Sequence, residues 1–552
     1  MLMKIKITLS LVAFLTLSTY GQIKYPKKFF ASPVKIKIAV AGTFGELRNN
    51  HFHSGIDIKT KQRKNIPICA AQDGYISRIK VSTYGFGKAL YINHKQGFTT
   101  VYAHLENFEE TIQKKALKEH YKKELYEIDF SLKENEIKVK KGDTIGFSGN
   151  TGSSTAPHLH FEIRETKTQK IINPMLFGLP ILDTSFPIMN SILIYYEDGG
   201  KESFELEKID KKNYIINDTI NINNNFNIGI NTYDLLDAAP NKNGVYSIQL
   251  YLKDSLIFSN TMDVFAFYET KYINSHVDYE YHKQNGEKFQ KCFLDPNNKL
   301  STNDTSLKHP IGEGLIDGIY EMKIIVGDSY ENNSVLTFYV RLKKTKEKKS
   351  GFNKNEINHQ QVFEFQSEEC KIYIPNNSLY KNHNFIFEKK MDSILPYPIY
   401  KILDDSIPSH KSFIISLQTD SLNKDLRKKA MIAKYKNGDL HCIKSKWEEN
   451  KIIGKSSEFG EFTVIIDTIK PIIRNLTQNK NSIKLEMEDE LSGIKEYRGE
   501  IDGKWVLMEY DYKTNIIKHT FETDSDKKNH EFIFTVSDKV GNTNTITLNF
   551  IR

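Results

Sequence analysis

Three short segments hold the side chains that can do chemistry together: His51-Phe52-His53-Ser54-Gly55-Ile56-Asp57, Tyr102-Ala103-His104-Leu105 and His158-Leu159-His160-Phe161-Glu162-Ile163-Arg164. The third has the cleanest parity. Successive side chains of an extended strand alternate between faces. His158, His160, Glu162 and Arg164 therefore share one face, while Leu159, Phe161 and Ile163 share the other. The apolar set belongs in a core, which leaves two imidazoles on the opposite surface, able to approach one metal ion or one bound water. A catalytic zinc takes three protein ligands from imidazole nitrogens and carboxylates and keeps a fourth position open. His53 and Asp57, four positions apart with Gly55 between them, can project together from a strand or a strand–loop junction. Each pattern alone is weak, because an isolated HxH pair is more often solvated and HxxxD arises by chance. Their concurrence in one domain, with His104 on a strand end, makes a metal centre the expected reading.

On these residues the region resembles the M23 family of zinc metallopeptidases, the lysostaphin/LytM-type peptidoglycan endopeptidases. The matching text is Phe52-His53-Ser54-Gly55-Ile56-Asp57-Ile58, Ala71-Gln72-Asp73-Gly74, Tyr102-Ala103-His104-Leu105 and Lys140-Lys141-Gly142-Asp143. It continues as Gly149-Asn150-Thr151-Gly152-Ser153-Ser154, Pro157-His158-Leu159-His160-Phe161-Glu162 and Asn173-Pro174, so the resemblance runs from about Phe44 to Phe177. It implies one Zn2+ per chain, held by His53, Asp57 and His160, with His104 and His158 catalytic. It implies hydrolysis of peptide cross-links by a zinc-activated water, with peptidoglycan stem peptides and cross-bridges as the substrate. No HExxH glutamate is present to move protons. His104 and His158, whose ordinary pKa lies near neutrality, are the groups able to accept and donate them. Which one is the base and which steadies the oxyanion stays open.

Some relatives carry a Tyr shortly before the first ligand, where this chain has Gly45-Glu46-Leu47-Arg48. Arg48 is a candidate oxyanion donor, with a carboxylate-paired Arg as the alternative. Glu162 is a candidate to orient a ligand His, with a plain salt bridge as the alternative. His51 reads as solvated or as part of the substrate rim. Relatives that have lost ligands act without catalysis. The competing reading is thus a non-catalytic cell-wall-binding protein or amidase activator, and the filled set of five residues argues against it.

The elements that must position these residues are strands. Val34–Val40, Gly74–Val81, Lys88–Asn93, Thr99–His104 and Thr144–Phe147 are short β-branched and aromatic runs between turn signals. One segment breaks the rhythm. Phe108, Ile112, Ala116, Tyr121, Leu125 and Ile128 recur at spacings near three and four, which predicts an inserted amphipathic helix over about 107–128. The fold class expected is mainly β. An antiparallel-sheet M23 peptidase domain with an inserted helix occupies 28–183, and several immunoglobulin-like β-sandwich modules follow. Those fall at 188–342 and 467–552, with a charged linker at 343–360 and a further β-rich module at 361–466. Two echoes mark the sandwiches: Ile319–Val326, Asp328, Asn332-Asn333 and Val335–Val340, then Phe532–Val536, Asp538, Gly541-Asn542 and Ile546–Phe550. Each reads as a hairpin whose first strand ends on Asp.

At the N-terminus, Lys4 and Lys6 precede an uncharged apolar run and the small residues around Ser18 and Gly21. This reads as an export signal over 1–21, too short to span a bilayer. It points to the periplasm, cell envelope or medium. With 552 residues the chain has room for three to four domains. Its 77 basic residues face 69 acidic ones, a mixed surface that argues against nucleic acid as partner. The β modules, which lack a comparable His/Asp/Glu constellation, are candidates to bind wall polymer or an envelope partner. Four cysteines are too few for a disulfide scaffold. Cys69 reads as a buried thiol, and Cys370 with Cys442 as the one candidate bridge. Oligomeric state, and the particular bond cut, are left open.

Overall fold

The computed structural model describes residues 25–306, 309–345, 355–393, 395–418, 422–479, 481–521 and 528–552. The expected signal over 1–21 and the middle of the expected linker lie outside the described residues. The chain is mainly β, as its alternating runs require.

The first domain is built on an antiparallel sheet. Its central path runs Val40–Gly42, Ile56–Lys59, His158–Glu165, Phe98–Phe108, Lys88–Asn93, Gly74–Val81 and Lys138–Val139. The HxH strand thus lies between the strand carrying Asp57 and the strand carrying His104. Its odd positions behave as parity demands: Leu159, Phe161 and Ile163 are buried in the main core with Ile56, Ile58, Tyr102 and Leu105. One expected strand is shorter. Only Val40–Gly42 forms a strand where Val34–Val40 was predicted, with Val34 contributing a single bridge to Ile68.

The inserted helix is real but covers Glu110–Lys123, less than its periodicity suggested. Phe108 ends the preceding strand and Ile128 opens the next one, while Glu124 turns left-handed and stops the helix. Ile112, Ala116 and His120 are its buried side. Tyr121 and Leu125, counted on the apolar stripe, are 44% and 55% exposed.

Beyond the first domain the strands form pairs of facing sheets. Two sheets between Ile188 and Lys343 enclose a core of Ile192, Ile228, Ile230, Ile324 and Phe338. Two five-stranded sheets between Phe363 and Ile466 enclose Ile372, Ile415, Ile432 and Phe462. Two four-stranded sheets from Ile472 onward enclose Leu485, Ile517, Phe532 and Phe534. Both predicted hairpins form, Gly318–Gly327 with Asn333–Lys343 and Asn529–Asp538 with Thr543–Ile551. Helices at Phe267–Tyr272, Ile273–His276 and Tyr279–Asn285 interrupt a stretch expected to be a β-rich sandwich module. All four cysteines are free, so the candidate Cys370–Cys442 bridge is not made. Cys442 instead donates to the Leu491 carbonyl at 3.0 Å, and Cys69 is buried as expected.

Candidate metal centre

Register brings the first three residues together. Asp57 and His160 are directly opposed in neighbouring antiparallel strands, and such a pair shares a face. His53 comes from the loop between His51–Phe52 and Ile56–Lys59 and turns back over them. The turn requires a residue without a side chain at Gly55, where a Cβ would stand 2.4 Å from the Phe161 carbonyl and 3.1 Å from the His160 ring. The result is a triangle. His53 Nε2 lies 3.0 Å from His160 Nδ1 and 3.0 Å from Asp57 Oδ1, and His160 Nδ1 lies 2.9 Å from the same oxygen. All three residues are at most 5% exposed.

The outer nitrogens decide what this triangle can hold. His53 Nδ1 sits 2.8 Å from the Thr43 carbonyl, which only accepts, so that nitrogen carries the proton and Nε2 presents a lone pair. His160 Nε2 sits 3.0 Å from Glu162 Oε1, so its proton is there and Nδ1 presents a lone pair. Two imidazole lone pairs and a carboxylate oxygen then converge with no proton between them, an arrangement that repels itself unless a positive charge enters. A divalent cation fits this demand, and two nitrogens with one oxygen is a donor set suited to zinc. The surroundings respond to the same demand. Burial opposes charging His160, yet its hydrogen bonds to Asp57 and Glu162 raise it to about 9, so without a cation a proton on Nδ1 takes the cation's place. Burial likewise opposes ionisation of Asp57, but His53, His158 and His160 hold it well below the usual carboxylate range.

A second layer fixes the ligands. Glu162, fully buried, accepts from Ser54 Oγ at 2.5 Å and from Arg164 Nε at 2.7 Å as well as from His160. Both alternatives for Glu162 therefore hold, since it orients a ligand candidate and forms a salt bridge. Arg48 takes its carboxylate-paired alternative: Nη2 donates to Asp57 Oδ2 at 2.6 Å and the same guanidinium meets Glu46. His51 is exposed, with Nδ1 2.8 Å from the Asn49 carbonyl, which fits the solvated reading.

His104 and His158 flank the triangle, their ring centroids 4.8 Å apart. Strict alternation from Tyr102 would point His104 into the core. Instead the register slips between Lys88 and Leu90, which face Leu105 and Tyr102. His104 is the extra residue of this bulge, with φ of +61°. Tyr102 and Leu105 both remain in the core and His104 is turned onto the face of His160, 5.8 Å between ring centroids. Its Nδ1 meets the Thr151 carbonyl at 2.8 Å, so Nε2 is left as an acceptor. Burial, then the neighbouring His158 and His160, push His104 down to about 3. His158 Nδ1 meets the Ala156 carbonyl at 2.8 Å, and its Nε2 lies 3.4 Å from Asp57 Oδ1. The loop between Ser148 and His158 thus supplies the carbonyls that orient both rings. Sequence reasoning gave no role to Ser54, to the carbonyls of Thr43, Thr151 and Ala156, or to Phe86, whose ring stacks on His160 at 5.1 Å. Ser54 alone carried a signal, lying inside the quoted HSGID segment.

Residues 51–120 and 112–174 match Peptidase family M23, in two pieces that meet within the inserted helix, and residues 354–467 match the Zu5-like domain. The chain is similar to the DD-carboxypeptidase/endopeptidase Mpg of Neisseria meningitidis, 34% identical over 128 residues, 23% of each protein. It is also similar to the peptidoglycan DD-endopeptidase ShyC of Vibrio cholerae, 31% identical over 114 residues, 21% of this chain and 20% of that one. The match thus spans less than a quarter of these relatives' length. Among solved structures, the catalytic domain of lysostaphin from Staphylococcus simulans is 25% identical, covering 26% of this chain and 92% of its own, with a TM-score of 0.20. The first domain is a Peptidase M23 domain, and the module read as simply β-rich is Zu5-like.

Proposed function

We propose that this chain is an exported zinc metalloendopeptidase that hydrolyses peptide cross-links of bacterial peptidoglycan, acting in the periplasm, at the cell envelope or in the medium. The observation that carries the reading is the convergence of His53 Nε2, His160 Nδ1 and Asp57 Oδ1, flanked by two further imidazoles. One zinc held by those three atoms would polarise a water and the scissile carbonyl, supplying Lewis-acid chemistry at neutral pH. The chain's own residues do the rest. Thr151 holds the His104 proton at Nδ1, which leaves Nε2 to accept a proton. Burial keeps His104 neutral at the pH where it must accept. Ala156 holds the His158 proton in the same way, so its Nε2 also faces the reacting region. Glu162 and Arg48 keep His160 and Asp57 aimed. The two-sheet modules, which we read as immunoglobulin-like outside the Zu5-like region, would bind or position wall polymer.

The test uses the full chain with defined cross-linked muropeptides, with zinc and with a chelator, products being identified by mass spectrometry. Cleavage should require zinc. His104→Ala and His158→Ala should each lower the rate by about 10²–10⁴-fold while one zinc per chain remains bound. Zinc-loaded chain that cuts no muropeptide would sink the enzyme reading and favour the non-catalytic wall-binding alternative.

A further inference from the structure

A second group of metal-ligating side chains lies where the first domain meets the next module. Asp183, Asp234 and Asp328 each place one carboxylate oxygen within 4.8 Å of the others, and they are 9%, 2% and 5% exposed. Asp183 lies in the segment leaving the first domain, just after Leu179 and Ile181 of that domain's core. Asp234 is on strand Phe226–Leu236, whose Leu236 joins the same core. Asp328 directly follows strand Gly318–Gly327, the Asp of the first sequence echo.

Three buried carboxylates in one place are costly unless something positive or a set of donors compensates them. Asp328 has donors, from the backbone of Tyr330 and Asn332 and from the Asn332 side chain. The other two are only half satisfied: Asp183 Oδ1 accepts from the Ser185 amide, while Asp183 Oδ2 and Asp234 Oδ1 are buried with no hydrogen-bond partner. The Tyr330 hydroxyl, close enough to feel the charge of Asp183 and Asp328, is also buried without a partner. Among the described residues no Lys, Arg or His pairs with any of the three. A cation held among the three carboxylates would give both orphaned oxygens a partner.

We propose that Asp183, Asp234 and Asp328 bind a calcium ion that ties the tail of the peptidase domain to the strands of the following module. All donors are oxygen, which selects hard cations over zinc. Carboxylates from three separate segments suit the irregular, many-oxygen shell of calcium better than the strict octahedron of magnesium. The site is chemically distinct from the His53, Asp57 and His160 centre and independent of the activity proposed for it. Asp467, Asp489 and Asp538 repeat the construction one module later. Among the described residues they show no comparable orphaned carboxylate oxygen, and they form no part of the proposal.

The experiment compares the full chain with Asp234→Asn, chosen because no side-chain donor to Asp234 is lost. Both are stripped of divalent ions, reloaded with zinc so that the peptidase centre is occupied, and titrated with calcium by calorimetry. The full chain should bind one more calcium than the variant. Its Tm should rise by about 2–4 °C in saturating calcium, against little change for the variant. In chelator the order should reverse, since Asn relieves carboxylate repulsion. Terbium bound to the full chain should show tyrosine-sensitised emission that calcium quenches and that Tyr330→Phe weakens, a readout that does not depend on the Asp234 variant folding. Equal calcium stoichiometry in chain and variant would overturn the proposal. So would a variant that melts higher in both conditions, which would mean carboxylates merely sharing protons. Magnesium binding in place of calcium would overturn the assignment of the ion.

Discussion

Glu162 has no exposure to solvent, and each of its oxygens is used: Oε1 by Ser54 and His160, Oε2 by Arg164. Burial opposes its ionisation, but Arg164, His160 and Ser54 together hold it down to about 2. Glu162→Gln would keep the shape and lose the charge, leaving the Arg164 guanidinium, only 6% exposed, without its counter-ion. Removing one partner of a buried pair costs about 3–5 kcal/mol. Loss of an outer partner to a ligand His weakens metal binding by about 10–100-fold. Calorimetric melting and zinc competition against a chromophoric chelator should show both effects, and Ser54→Ala should show a smaller version of each. A variant that binds zinc as tightly as the parent would mean that His160 is aimed by packing on Phe86 alone. The placement of Glu162 was legible in the sequence, because strand parity puts it beside His158 and His160. The placement of His104 was not. Parity read along Tyr102-Ala103-His104 puts that imidazole in the core, and only a bulge with positive φ, invisible to a period of two, returns it to the site.

The helices between Phe267 and Asn285 show the same limit for whole elements. Phe267, Tyr268 and Tyr272 are aromatic residues of the kind that favour strands, yet tertiary contacts decide the outcome. Glu269 accepts from the Ala266 and Ser301 amides, Asp278 caps Tyr281, and Tyr272, Ile273 and Val277 pack with Phe44 and Phe52 of the peptidase domain. His276 lies within this wedge, 2% exposed, with Nε2 3.0 Å from Gln290 Oε1 and its ring 5.5 Å from Phe52. Burial pushes its pKa down to about 4, so it stays neutral where an unfolded His near 6.5 would charge. The unfolded state therefore binds the extra proton. The contribution of His276 is complete above about pH 6.5 and falls as pH drops through the window to about 4, by up to about 3 kcal/mol. His410, pushed down to about 4 against Tyr272, acts in the same direction. Melting temperatures measured from pH 7.5 to 4.5, values of order set by that window, should decline less steeply for His276→Gln than for the parent. Identical slopes would mean that the wedge opens enough to hydrate the ring in the folded state.

At the scale of the molecule, the C-terminal module is docked on the peptidase domain through residues that no local pattern connects. Lys88, buried beside the His104 strand, pairs with Glu509 at 2.7 Å across 421 positions of chain. Tyr121, which the helical stripe assigned to its own domain's core, meets Trp505 edge-on at 5.1 Å. Arg498 reaches Glu124 at 2.8 Å, and Tyr512 packs on Tyr84 at 4.5 Å. Such contacts depend on how finished domains meet, which explains why the modules were legible one by one and their assembly was not. One contact reaches the site. Lys513 Nζ donates to the carbonyls of Asn150 and Ser154, the latter at 3.1 Å, and the Tyr512 hydroxyl donates to Ser153 Oγ at 3.4 Å. The same loop carries the Thr151 and Ala156 carbonyls that orient His104 and His158. Lys513 is exposed, so its two bonds together contribute about 1 kcal/mol, no more than one ordinary hydrogen bond's net worth. That energy corresponds to about a five-fold change in local opening. Hydrogen exchange in Lys513→Ala should accelerate by about that factor over residues 149–157, including the Ser153 amide bonded to the Gly85 carbonyl, while strand His158–Glu165 stays protected. Unchanged exchange in the loop would show that the module touches it without holding it. Acceleration that spread into the strand would show instead that the docked module stabilises the whole peptidase sheet.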